Sequence, residues 1–184
     1  MRFSLAAVEG EPVVSTAWLD AQLREANTIF TPAHIAFRRG EVDAIANADD
    51  RWPADLVTRA DRHRLGPQVK TEVINVFVVR SLADVDIEGR MIRGVHWRSR
   101  RGGSPRHYVI LSSTAGARVL AHELGHFFGN PHSPTPGNIM SYESADVPPF
   151  FDAGQLRRIR RSRERFVREG ELRLLDQPAQ NSSQ

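Results

Sequence analysis

Leu19, Leu23, Ala26 and Phe30 recur at spacings of three and four, the period of one helix face. Ser15 or Thr16 can cap the first free amides of that helix, and Thr31-Pro32 ends it. A second stripe, Val119, Leu120, Phe127 and Phe128, predicts a helix from a Ser113 or Thr114 cap to about Phe128. A third, Leu156, Ile159, Phe166 and Val167, follows Asp152 with Gln155 three residues on, the pattern of a capping box. Residues 73–79 form a near-continuous β-branched run, which suits a strand buried on both faces. Residues 35–42 read as another strand, and 92–99 and 106–112 as two more around Gly102-Gly103. Residues 1–14 lack periodicity and predict a tail or short strand. Residues 47–71 read as loop with a short helix around 54–60, residues 80–91 as polar loop, and residues 177–184 as a disordered tail.

This order predicts an α/β (α+β) domain with a twisted mixed sheet. An N-terminal lobe of about residues 1–129 would precede a small C-terminal lobe of about 130–176 with a terminal helix. A cleft would lie between them. Residues 92–99 are either its edge strand, open to an extended peptide, or an interior strand.

The chemistry concentrates in one string, His122-Glu123-Leu124-Gly125-His126-Phe127-Phe128-Gly129-Asn130-Pro131-His132, followed by Asn138-Ile139-Met140-Ser141-Tyr142. Residues four apart share a helix face, so His122 and His126 can present two imidazoles to one metal ion. Zinc accepts imidazole in tetrahedral geometry, and a catalytic site keeps one position open, so three protein ligands are wanted. Gly129 tolerates the left-handed conformation that ends helices, Pro131 forbids continuation, and His132 can return as the third ligand. Glu123 follows the first ligand directly and suits a general base acting on a water whose pKa the metal lowers. A bare HExxH arises by chance in roughly one chain in fifty of this length, its histidines then being ordinary helix residues. Gly129 and His132 lower that rate several hundredfold, on the same rough assumption. Met140 reads either as an apolar gap-filler or as a thioether packed beneath the imidazoles. Tyr142 reads as a half-buried aromatic, or as a hydroxyl that approaches zinc or the developing oxyanion.

The string HELGHFFGNPH with NIMSY resembles the metzincin clan of zinc peptidases, with its long zinc motif and Met-turn. Within the clan the chain is most similar to the pappalysins. Weaker similarities in Trp18 to Leu23, Ala33 to Phe37, 73–79, 108–113 and 151–156 extend the resemblance over about residues 15–168. It implies a metzincin-like catalytic domain over residues 1–176, with a Zn2+ cofactor held by His122, His126 and His132. It also implies Glu123 as general base, Met140 as the Met-turn residue, Tyr142 as an extra ligand or transition-state stabiliser, and a protein or peptide substrate. The chain departs from the pappalysins in having no cysteine and a short stretch from Ser133 to Gly137, so no calcium site is carried over.

No apolar run in the 184 residues approaches the ~20 needed to span a bilayer. The resemblance favours secretion, although Met1 to Glu9 is too short an apolar start for a signal peptide. The formal net charge is +3, and nearly all the positive charge is arginine, Lys70 being the one lysine. The arginine clusters at 98–101 and 157–161 suggest a competing function, a polyanion-binding module with a structural zinc. Charge blocks are commonly solvated faces with acidic partners such as Glu164 and Glu169, which makes nucleic acid the weaker expectation. A monomer is favoured.

Overall fold

The first residues are not a tail. In the computed structural model, which describes residues 1–45, 53–99 and 106–175, they form β1 (Arg2–Val8), buried along nearly its whole length. Arg2 and Ser4 interrupt the apolar pattern in sequence, yet both are buried, and Arg2 donates to the Gln68 carbonyl at 3.0 Å. β5 (Asn75–Val79) runs parallel to β1, with Phe3 opposite Val76. Over that stretch the second side of β1 is taken by β3 (Val42–Ile45), also parallel. β2 (Glu11–Pro12) turns back on the end of β1. β8 (Arg106–Ser112) lies parallel to β5. β7 (Gly94–Ser99) pairs antiparallel with β8 and, among the described residues, ends the sheet as an edge strand. Two short strands, β4 (Asp55–Leu56) and β6 (Ser81–Leu82), form a separate parallel pair.

Alternation along the central strands builds two cores. Val76, Val78, Val109 and Leu111 face α1 (Thr16–Phe30) and α3 (Val119–Phe127). Phe77, Val79, Tyr108 and Ile110 face the other way, onto Leu56, Leu65 and Leu82. Burial on both faces explains the unbroken apolar reading of these segments. α2 (Arg59–Arg64) borders the second core. α4 (Ala153–Arg168) places Ile159 and Phe166 in the first core, where the Phe166 ring lies 5.4 Å from that of Phe127.

Four expectations from pattern fail for identifiable reasons. Residues 80–91 are not all polar loop, because Ser81–Leu82 pair with β4 and bury Leu82 in the second core. Residues 35–41 are not a strand, and only Val42 of that segment enters β3. The Asn27 amide on α1 accepts from Phe37 N at 2.6 Å and donates to Phe37 O at 3.0 Å. Phe37 meanwhile turns its ring into the core against Phe30. These contacts hold the backbone off the sheet. The short helix lies at Arg59–Arg64 rather than 54–60, started by a capping box between Thr58 and Asp61, because Asp55 and Leu56 pair with β6. α3 begins at Val119, not behind Ser113 or Thr114. Those hydroxyls are occupied in the preceding turn, bonding Arg80 O and Ser112 Oγ. The buried Gln22 of α1 caps α3 instead: its Oε1 accepts from Leu120 N at 3.1 Å, and its amide donates to Ala115 O and Gly116 O. The α1 and α4 patterns hold, the latter with the Asp152–Gln155 capping box in place. The Gly102-Gly103 turn and residues 177–184 lie outside the described residues.

After α3 the chain passes directly beneath it. A Cβ at Gly125 would stand 2.2 Å from Met140 Sδ and 3.2 Å from the Phe151 ring, and Met140 has no exposed surface. No side chain larger than hydrogen fits there. Gly125→Ala is therefore expected to cost about 1–3 kcal/mol through overpacking, with part of the loss restored by adding Met140→Ala. Thermal unfolding of the two variants measures this; an unchanged midpoint for Gly125→Ala would refute it.

Candidate metal centre and active site

His122 and His126 project from one face of α3, their ring centroids 4.8 Å apart. Gly129, at φ +90°, reverses the chain where a side chain would be strained. The Asn130 amide then bonds back to Gly125 O, and the chain returns His132 to the same point. One nitrogen from each ring lies within 4.8 Å of the others, and the Nε2 atoms of His126 and His132 are 3.1 Å apart. Two ligands of a tetrahedral zinc stand about 3.3 Å from one another, so this spacing fits.

The partners of the other ring nitrogens decide which lone pairs are free. His122 Nδ1 donates to Ile139 O at 2.7 Å, and His126 Nδ1 to Asn130 O at 2.8 Å. A carbonyl can only accept, so Nδ1 carries the hydrogen and Nε2 keeps the lone pair for a metal. Burial lowers the pKa of all three imidazoles, that of His126 to about 4, favouring the neutral form that binds metal. Three neutral imidazoles with no fourth His, Cys, Asp or Glu in the group among the described residues suit Zn2+ with one open position.

Glu123 is not part of the converging set and lies beside it, buried. Burial pushes its carboxyl up to about 8, opposed by the backbone N–H of His96 that it accepts. This bond links α3 to the edge strand β7. The contact is close because residue 94 is glycine: a Cβ there would lie 2.6 Å from Val119 and 2.9 Å from Glu123 Cγ. Met140 packs under α3 as described. Its turn is held by Asn138, whose Oδ1 accepts from Met140 N at 2.9 Å and whose amide pairs with Gln155 of α4. Tyr142 is 82% exposed at the cleft, its hydroxyl 3.4 Å from His132 Nδ1. It is not a half-buried packing residue.

Pattern reading missed a second group behind the site. His96 Nε2 and His107 Nδ1 are 3.1 Å apart, and His107 Nε2 meets Glu171 at 3.1 Å. The His107 ring stacks on Phe127 at 4.0 Å, and burial beside His107 pushes His96 down to about 3. The register of the β7–β8 pair, with Arg98 opposite His107, makes His96 its diagonal neighbour. That register was the one available signal. Asn130 was also missed. Besides receiving His126, it accepts from Arg158 of α4 at 3.0 Å.

The shift at Glu123 sets the sign of a pH effect in metal-free protein. A folded pKa of about 8, against 4.5 ordinarily, means that the folded state holds the proton more tightly. The stability this contributes is complete below about pH 4.5 and is lost as pH rises through about 8. His96 and His126, depressed to about 3 and about 4 from 6.5, act oppositely, their contribution being lost as pH falls below 6.5. Denaturant midpoints of metal-free wild type and Glu123→Gln should therefore diverge between pH 6 and 8.5, the wild type falling relative to the variant. Parallel curves would count against a protonated Glu123.

No protein-family model matches the sequence, and no curated protein matches it. Solved structures do. Metalloproteinase-II from Bacteroides fragilis aligns with 88% of this chain at a TM-score of 0.57 and 13% identity. This chain spans about half of that one, 52%. Archaemetzincin from Methanopyrus kandleri aligns with 89% of this chain and 96% of its own length, at a TM-score of 0.55 and 18% identity. At these identities the likeness is one of fold: the chain has the mixed α/β fold of those two structures.

Proposed function

We propose that this protein is a zinc-dependent endopeptidase of metzincin type. The observation that carries the reading is the convergence of the three imidazoles beside a buried Glu123, in a cleft bordered by an open strand edge. The names of the two structural neighbours, a metalloproteinase and an archaemetzincin, support the same activity. Residues 1–176 would act as one catalytic domain, α3 and the sheet above the cleft and the segment after Gly129 below it. The pappalysins remain the subfamily that the sequence resembles.

His122, His126 and His132 would hold the metal through their free nitrogens. Zinc so placed would supply Lewis acidity, polarising a carbonyl and acidifying a water. The chain's own residues do the rest. The outer edge of β7 can pair with an extended peptide through main-chain hydrogen bonds. Glu123 takes a proton from the attacking water and passes it to the leaving amine. A bound cation favours the ionised carboxylate, so metal loading prepares Glu123 as a base. Tyr142, exposed beside His132, can swing its hydroxyl to the developing oxyanion. Met140 would serve as the Met-turn residue, fixing His122 and His126 from below through Gly125.

The competing reading as a polyanion-binding module loses most of the α4 arginines to partners, Arg157 and Arg161 being exposed with no ion pair among the described residues. Arg163, Arg165 and Arg168 pair with Glu164 and Glu169. Arg158 and Arg160 bond Asn130 and Pro32 O. Among the described residues no helix is long and apolar enough to cross a membrane.

Glu123→Gln is expected to lower peptide hydrolysis by about 10²–10⁴-fold while zinc content stays whole, whereas His132→Ala should lose zinc. Metal analysis with a casein or peptide-library assay, with and without chelator, reads both; chelator-insensitive cleavage would sink the proposal. Tyr142→Phe should lower kcat on the order of a hundredfold with little change in KM and keep its zinc. An unchanged kcat would remove Tyr142 from the mechanism.

A further inference from the structure

The cleft has a volume of about 1510 Å³, above the roughly 300–1,000 Å³ of small-molecule pockets, and β7 forms one wall. Six arginines line it, against the carboxylates of Asp84, Asp86 and Glu143, Glu123 aside. Four of the six are spent within the fold. Arg59 pairs with Asp86 and Arg90 with Asp84, which neutralises both aspartates. Arg62 is buried, donating to Ala83 O at 2.6 Å with its guanidinium over the Trp97 ring. Arg118 faces Glu25 at 3.6 Å.

Arg93 and Arg98 are left. Both are exposed, and neither has an ion pair among the described residues. Arg93 immediately precedes β7, beside the Gly94 that touches Glu123, and Arg98 lies near its far end. Five residue steps along the strand separate them by about 17 Å, the length of a short extended peptide. Any chain pairing with the open edge of β7 passes between two cations that have no ion pair among the described residues.

We propose that the cleft selects peptides with acidic side chains flanking the bond to be cut, Arg93 and Arg98 reading the two flanks. This rests on the reading of the site as a peptidase. Both guanidinium groups are solvent-exposed, so each pairing is modest, on the order of three- to fivefold in affinity. Together they give about tenfold, which salt screens. A lysine-bearing peptide meets like charge at both ends of the strand.

The test uses zinc-loaded Glu123→Gln protein and three matched fluorescent peptides with Glu, Gln or Lys at the flanking positions, read by anisotropy at low and high salt. The Glu peptide should bind about tenfold tighter than the Lys peptide at low salt, with the gap closing at high salt. Double reversal, Arg93→Glu with Arg98→Glu, should invert the order. That inversion is a result which loss of folding would not produce. Equal binding of the three peptides, or an order that survives the reversal, overturns the proposal. So does a single-stranded oligonucleotide that binds more tightly than the Glu peptide, which would assign the arginines to nucleic acid. Wild-type cleavage of the same peptides is scored separately. Acid-selective binding without cleavage would overturn the peptidase reading and leave the selectivity standing; cleavage with unselective binding would do the reverse.

Discussion

The close passage of the chain under α3 at Gly125 is the constraint on which the site depends. Two of the three imidazoles ride on that helix, and their Nδ1 atoms are oriented by carbonyls of the segment that follows it, Asn130 and Ile139. Those carbonyls are in reach because Met140 can press against the helix backbone where a Cβ would meet its sulfur at 2.2 Å. The segment is held from outside as well. Asn138 shares a pair of amide hydrogen bonds with Gln155, and Arg158 grips Asn130. α4 thus acts on the histidines without touching a metal. It fixes the carbonyls that choose the tautomers, the outer layer of contacts that governs metal-ligand orientation.

A second glycine sets the other side of the site. Gly94 lets β7 approach α3 until the backbone N–H of His96 reaches the Glu123 carboxylate. The Glu123 carboxylate and the edge strand are therefore joined by one hydrogen bond. Their spacing is a property of the backbone rather than of flexible side chains. The same bond resists the effect of burial on Glu123. Burial raises the carboxyl pKa and the His96 N–H lowers it, and a nearby cation would act in the same direction as that hydrogen bond.

Local chemistry was legible in the sequence where the cause is local. The capping box at Asp152 and Gln155, the stripe of α1 and the reversal at Gly129 each follow from neighbours within four residues. The spacing of His122, Glu123, His126 and His132 belongs with them, and the structure brings the three histidines together beside Glu123. What stayed hidden depends on distant partners. The true cap of α3 is Gln22, almost a hundred residues away in sequence. Residues 35–41 read as strand because their apolar pattern does not reveal that Asn27 will take the Phe37 amide and carbonyl. β1, which the sequence left open between tail and short strand, was undecided for the opposite reason. Its buried Arg2 and Ser4 look like solvent positions until Gln68 is seen opposite Arg2.

The edge position of β7 belongs to the same class, since nothing in the alternation of residues 92–99 says whether another strand will cover them. The sheet order resolves it, and in doing so gives the arginines unequal meaning. On α4, Arg163, Arg165 and Arg168 are answered by Glu164 and Glu169, the usual state of a solvated charged face. Arg93 and Arg98 sit along an open edge after the neighbouring aspartates have been used by Arg59 and Arg90. A charge count treats all of these residues alike. The positions of their carboxylate partners separate those that stabilise the fold's surface from those that can face a ligand.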